Sequence, residues 1–361
     1  MPATAYLNRI GTAVPAHDVH DAFVQRAGRI LPDRRVQALF RRMADRSHIA
    51  HRWSCLPCGA DTAGRIDEAG FYTLGAFPST AARMRRFEQE AAPLAIRAVE
   101  DLGLGDDAAR ITHLITVCCT GFAAPGLDFA LMRHFELDPG IERSGVGFMG
   151  CHAAINALKL ARHIVRSEPD ARVLLVCVEL CTLHLQEGGS LEDVLSFLIF
   201  GDGCAAALVT AEPEGLALDS FQALLVPGTE ENISWRIGDT GFDMVLSGQV
   251  PAGVAEGLRQ GAGAVLRGVA PGDIALWAIH PGGRSVLDAV EAALRLPPEA
   301  LDTSRAVLRG NGNMSSATVL FVLKAMLRDA APRQRGCAMA FGPGMVAETM
   351  LFHTVGQHEP A

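Results

Sequence analysis

The chain has 361 residues, 49% of them hydrophobic and 20% charged, enough for a large core and two domain-sized units. Its net charge of −8 excludes sequence-independent nucleic-acid binding, and no apolar run approaches the roughly 18 residues of a membrane span. The start, MPATAYLNRIGTAVP, shows no signal-peptide pattern, and nine cysteines in no regular framework suit a reducing compartment, so the cytoplasm is expected.

Apolar spacing predicts a first long helix over 86–103, followed by a buried strand, THLITVCC (112–119). A helix over 151–166 and the strand RVLLVCVEL (172–180) come next. The turn-rich stretch TAEPEGLALDS (210–220) is the candidate boundary between units 1–212 and 213–361. Beyond it lie helices over 253–268, 284–296 and 315–329, and the strands IALWAIH (274–280) and CAMAF (337–341). Strands alternating with helices predict a layered α/β fold.

The two halves echo each other. FGDGCAAALV (200–209) and FGPGMVAETML (341–351) share Phe-Gly-x-Gly before an apolar run. MGCHAAINALKLA and NGNMSSATVLFVLKA each place a glycine and then a polar residue ahead of an apolar helix. A pseudo-twofold relation would set Cys151 and Asn313 at equivalent helix starts facing one centre.

Three residues are candidates for chemistry. Cys151 follows a glycine at the mouth of a helix, where the dipole lowers a thiol pKa, though a buried cysteine is also a common core filler. His280 ends a buried strand before Pro-Gly-Gly, a place where α/β folds expose reactive groups, and a core histidine is the bland alternative. Asn313, in GNGNMSS, could be no more than a helix cap. His48, His51, Cys55 and Cys58 in HIAHRWSCLPC offer a zinc-like grouping without a second cysteine pair.

Taken together, GFMGCHAA, HPGG, GNMSSA, FGPG, FGDGCAAALV and RRMADRSHI resemble the type III polyketide synthases, the chalcone-synthase-like enzymes, over nearly the whole chain. The resemblance implies a thiolase-like duplicated αβαβα five-layer sandwich and a homodimer. It implies a Cys151–His280–Asn313 triad, with an imidazolium at His280 holding Cys151 as a thiolate, and Phe200 as the aromatic gatekeeper between a CoA tunnel and the cavity. Arg42 and Arg46 match basic CoA contacts of the family; Leu39 stands at a third basic position, for which Arg41 or Arg284 is the substitute, and Arg284 is expected to meet CoA with them. Gly342, Pro343 and Gly344 are expected to shape the cavity, with Ala340 where plant enzymes have glycine. Cys119, Ala124, His184 and Gly241 are the other cavity positions, and the first three depart from the plant pattern. His152 is expected to pack or to face solvent.

The implied reaction is iterative decarboxylative condensation of malonyl-CoA onto an acyl-CoA starter, with CoA thioesters as substrates and neither cofactor nor metal. Departures at the cavity positions point to the bacterial alkylpyrone and alkylresorcinol branch and a fatty starter; an aromatic or short starter is the alternative. β-Ketoacyl-carrier-protein synthase III shares the triad but usually carries asparagine shortly after its histidine, where this chain has Pro281. A non-catalytic dimeric binding protein would not need Cys151, His280, Asn313 and Phe200 together.

Overall fold

The computed structural model describes residues 3–31, 33–59, 65–188 and 191–355. Strands run over Tyr6–Ala13 (β1), His17–Asp18 (β2), Trp53–Ser54 (β3), His113–Cys118 (β4), Glu142–Gly147 (β5), Val173–Leu180 (β6) and Asp202–Thr210 (β7). They continue with Gly215–Leu225 (β8), Ile233–Gly238 (β9), Gly241–Leu246 (β10), Leu276–Ile279 (β11), Arg335–Gly342 (β12) and Val346–Val355 (β13). Helices span His20–Ile30 (α1), Arg34–Ser47 (α2), Thr80–Leu102 (α3), Leu127–His134 (α4) and Ala153–Ser167 (α5). The rest are Leu191–Ile199 (α6), Val250–Val265 (α7), Arg284–Leu294 (α8), Asp302–Asn311 (α9) and Thr318–Asp329 (α10).

Nine strands form one hydrogen-bonded sheet in the order β11-β12-β13-β8-β1-β7-β6-β4-β5. The two halves join at β8. That strand pairs with β13 along its length and with β1 over the short register Tyr6–Ala217 and Leu7–Leu216, beside which Leu218 N donates to Ala5 O at 2.9 Å.

Side chains alternate along each strand, and this alternation builds the layers. From β4, β6 and β7, Leu114, Val176 and Leu208 pack under α3, while Ile115, Leu175 and Ala207 face α5 and α10. In the other half, Ala338, Ala340 and Met350 turn to the same two helices, whereas Trp277, Met339 and Phe341 face α7 and α8. Helices α5 and α10 are therefore the central layer of a thiolase-like αβαβα sandwich. The residues just ahead of them, Cys151 and Asn313, enter the middle of the molecule from the two halves.

Several boundaries moved from the sequence expectation. The helix α3 starts at Thr80, six residues early, because the Ser79 hydroxyl accepts from the Ala82 N–H and caps it. The helix expected from Cys151 opens with a 3₁₀ turn, Gly150–His152, and becomes α-helical only at Ala153. Within the stretch 210–220, β7 ends at Thr210 and β8 begins at Gly215. Strand β5, ERSGVG, is mostly exposed and lacks apolar alternation, so periodicity did not reveal it. No helix among the described residues is long and apolar enough to cross a membrane.

Candidate active site

Strand β5 leads into the nucleophile turn through Phe148 (φ 57) and Gly150 (φ 74), two left-handed residues that reverse the chain in a few steps. Gly150 is obligatory on space as well as on torsion. A Cβ there would sit 2.2 Å from Pro343 Cδ, so the 342–344 loop packs directly on the turn. Gly342 in turn packs on the buried His152 ring, which settles His152 as a packing residue.

Across the centre, Asn313 Nδ2 lies 3.9 Å from Cys151 Sγ. Its amide orientation is set locally: Oδ1 accepts from the Ser315 N–H at 2.8 Å, and Nδ2 reaches the Gly282 carbonyl at 3.5 Å. Both amide atoms stand beside the sulfur, Nδ2 at 3.9 Å and Oδ1 at 4.0 Å. Backbone bonds from Asn313 N to Ile199 O (2.7 Å) and from Gly201 N to Asn313 O (3.0 Å) tie this turn to Phe200.

His280 follows β11 and is 1% exposed. Both of its ring nitrogens are buried without a hydrogen-bond partner among the described residues. Such orphaned groups are rare and costly, which marks this ring as kept for something not contributed by the fold. Its neighbour Gly282 borders the ring and also accepts from Asn313, so the histidine and the asparagine share a support.

Burial decides the protonation states. It pushes the Cys151 thiol up to about 11, against the smaller opposing effect of hydrogen bonds from Ser315 and Asn313. It pushes His280 down to about 3. Both shifts favour the neutral forms, opposite in direction to the expected resting thiolate–imidazolium pair.

A residue that the motifs did not flag stands behind the nucleophile. Glu179, fully buried in β6, accepts from the Ser316 hydroxyl, from Cys119 N at 3.0 Å and from Thr120 Oγ1 at 2.8 Å. Desolvation raises it to about 7. A single glutamate in the otherwise apolar RVLLVCVEL was the available signal, because such residues are almost never fully buried without partners.

Cys151 opens into a nook of about 30 Å³, the share of one water, lined by Cys119, Phe197, Phe200, Trp235 and Pro343 among others. Cys181, Phe197 and Phe200 separate this nook from a chamber of about 350 Å³. Phe200 is held in place by the fully buried Arg52, whose Nη1 donates to the carbonyls of Phe197 and Phe200, each at 2.8 Å.

The remaining expected positions divide. Cys119 lines the nook, and its sulfur accepts from Gly150 N at 2.9 Å. His184 does not line it. The ring stacks on Phe242 behind Trp235, with Nε2 donating to Thr120 O and Nδ1 accepting from Phe242 N. Gly241 is a correction: it sits at the β9–β10 turn, and a Cβ there would meet the Arg83 guanidinium at 2.8 Å, not the cavity. Ala124 is exposed and lies outside the nook of this chain.

Arg42 and Arg46 are exposed on α2, one helical turn apart, and Arg284 reaches across from α8 to Arg46 O (3.3 Å) and His48 Nε2 (2.9 Å). The three arginines thus form one basic patch. The zinc-like grouping dissolves, since His48 joins that patch, His51 pairs with Asp18 at 2.6 Å, and the buried Cys55 donates its backbone N–H to Asp202.

A cysteine, an asparagine and an unpartnered histidine at the centre of a duplicated αβαβα sandwich define a thiolase-like condensing enzyme. The chain belongs to the chalcone and stilbene synthase family, whose N-terminal domain matches residues 2–213 and whose C-terminal domain matches residues 217–356. It is an acyltransferase of the type III polyketide synthase class.

Among its relatives is the alpha-pyrone synthesis polyketide synthase-like Pks18 of Mycobacterium tuberculosis, 37% identical over 289 residues, 76% of this chain and 73% of the relative. Another is the 1,3,6,8-tetrahydroxynaphthalene synthase of Streptomyces peucetius, 38% identical over 265 residues, 68% of each chain. The crystal structure of 1,3,6,8-tetrahydroxynaphthalene synthase from Streptomyces coelicolor matches with a TM-score of 0.86 at 27% identity, covering 97% of this chain and 99% of that one.

Proposed function

We propose that this enzyme loads a fatty acyl group from CoA onto Cys151, extends it with malonyl-CoA, and releases an alkylpyrone or alkylresorcinol. The observation that carries the fatty starter is the 350 Å³ chamber behind Cys181, Phe197 and Phe200, walled by Val19, Phe23, Leu56, Ile66, Phe77 and Val194. The 30 Å³ nook has no room for a growing chain, whereas the larger chamber one side chain away, apolar over these residues and polar at Arg26, Asp67 and Glu187, does. The alpha-pyrone named for the mycobacterial relative supports the product class.

The steps follow from the groups present. Sγ attacks the acyl thioester, forming a new C–S bond; His280 takes its proton and returns it to the departing CoA sulfur. Malonyl-CoA then loses carbon dioxide, and the electron pair left behind becomes an enolate whose oxygen needs donors. Asn313 Nδ2–H supplies one, and the His280 ring, with no bond to break first, supplies another. The enolate carbon attacks the acyl carbonyl and displaces Cys151, lengthening the chain by two carbons. None of this requires a metal or a redox cofactor. Arg42, Arg46 and Arg284 would hold the CoA phosphates outside.

The homodimer rests on β5, an edge strand with most side chains exposed, and on the exposed Phe122, Phe129 and Met149 nearby. The same interface would cover Ala124. The halves 1–212 and 213–361 are read as the two copies of the duplicated unit.

Purified enzyme is incubated with malonyl-CoA and acyl-CoA starters from C2 to C16 plus aromatic ones, and products are read by mass spectrometry with Cys151→Ala as control. Pyrones or resorcinols from C8 and longer starters support the reading. Products from aromatic or short starters alone would refute the fatty assignment and keep the synthase.

A further inference from the structure

We propose that His113, Glu142 and Glu168 bind one divalent transition-metal ion, Zn²⁺ by ligand type, at the end of α5 opposite Cys151. The three residues come from the starts of β4 and β5 and from the residue that closes α5. Their ligand atoms lie within 4.8 Å of one another. Because α5 has 15 residues, about 22 Å separate this cluster from the nucleophile turn. The condensation chemistry makes no use of it.

The orientation of His113 carries the argument. Its side chain is only 6% exposed, so it cannot swing away. Nδ1 lies 2.8 Å from Thr112 Oγ1, a hydroxyl already engaged with Arg172, accepting from its N–H at 2.9 Å and placed to donate to its carbonyl at 3.3 Å. With Nδ1 engaged by that hydroxyl, Nε2 is the ring nitrogen turned toward the two glutamates.

Nε2 faces Glu142 Oε2 at 3.6 Å and Glu168 Oε2 at 3.9 Å, and it makes no hydrogen bond among the described residues. Three groups able to ligate a metal converge here. The separations are too long for N–H···O bonds, which run at about 2.7–3.2 Å. They approach the roughly 3.4 Å that separates ligands on a tetrahedral ion with bonds of about 2.1 Å. One imidazole and two carboxylates, with an open fourth position for water, are a zinc-type donor set, and an outer partner fixing the imidazole is what such sites use. In the single chain Glu142 and Glu168 are 74% and 58% exposed, Glu142 at the start of the β5 edge that the homodimer would use, so each can close on an ion without disturbing the core. Bound there, the ion would clip the β4–β5 rim to the far end of the helix that positions Cys151.

The test is calorimetric titration of chelator-stripped enzyme with Zn²⁺, beside Glu142→Gln, Glu168→Gln and His113→Asn, with metal content by elemental analysis. The exposed glutamates make the first two variants safe for folding, checked by circular dichroism. Wild type is expected to bind one more ion per chain than His113→Asn, to lose at least about tenfold in affinity with either glutamine, and to gain thermal stability with Zn²⁺ only when the site is intact. Co²⁺ bound at this site should show visible d–d bands without thiolate charge transfer. Equal binding by wild type and all three variants, or a cobalt spectrum dominated by thiolate bands, would overturn the site. Neither readout depends on which starter the enzyme uses.

Discussion

The His184 ring stacks on Phe242 with centroids 4.1 Å apart and 17° between the planes, and accepts the Phe242 backbone N–H at 3.0 Å. One side chain therefore packs the wall behind Trp235 and satisfies its backbone. His184→Thr removes the ring and that acceptor together, and is expected to cost about 2–4 kcal/mol in a urea melt. Trp235, which lines the Cys151 nook, loses its edge-on neighbour, so product chains should lengthen by mass spectrometry. An unchanged product profile would show that this wall does not limit extension.

The same histidine sets a pH dependence. Burial depresses His184 to about 3, as it does His280. A base with a lowered folded pKa contributes stability that is fully present above the unfolded value near 6.5 and is lost as pH falls toward 3. Denaturation midpoints are expected to drop steeply below pH 6, and less steeply in His184→Thr than in wild type.

Reactivity at Cys151 should titrate late. With the thiol pushed up to about 11, iodoacetamide labelling of free enzyme should keep accelerating from pH 7 to 10 instead of levelling off. Peptide-level mass spectrometry separates Cys151 from the other eight cysteines. A labelling rate that is already flat at pH 7 would mean that His280 holds a resting thiolate after all.

Much of this was legible beforehand because the chemistry sits on glycine-marked turns. Gly150 before Cys151, Gly312 before Asn313 and Pro281 after His280 are local signals that survive without structure. The layers also follow from strand alternation. What escaped depends on long-range packing. Gly241 looks like a cavity glycine in sequence, yet Arg83 from α3 claims its space, and nothing near 241 announces that contact. The thiolate expectation meets a similar opposition: a helix start argues for a low thiol pKa, whereas burial of Cys151 pushes it the other way.

Glu179 should tie stability to the site from behind. An acid whose folded pKa is raised to about 7 is favoured protonated, so its contribution is present below the unfolded value near 4.5 and is lost as pH rises through 7. Glu179→Gln cannot ionise and should flatten that slope between pH 5 and 7. It also turns an NH₂ toward hydroxyl and backbone donors, at a cost of about 1–3 kcal/mol. Melts of the two proteins at pH 5 and pH 8 should therefore converge at the higher pH, and a constant gap would argue that Glu179 does not titrate in this range.

Asn313 offers the cleanest separation of loading from condensation. In Asn313→Ala, Cys151 and His280 remain, so acylation by a starter CoA, read as a mass increase on Cys151, should persist. The enolate formed by decarboxylation loses one of its two donors, and malonyl-CoA decarboxylation is expected to fall by about a hundredfold or more. Because the Asn313 Oδ1 also accepts the Ser315 N–H, Asn313→Asp serves as the companion: it restores that acceptor but not the Nδ2–H donors beside Sγ. Recovery of decarboxylation in the aspartate variant would assign Asn313 to holding its turn. Continued loss, with acylation intact, would place its amide on the enolate.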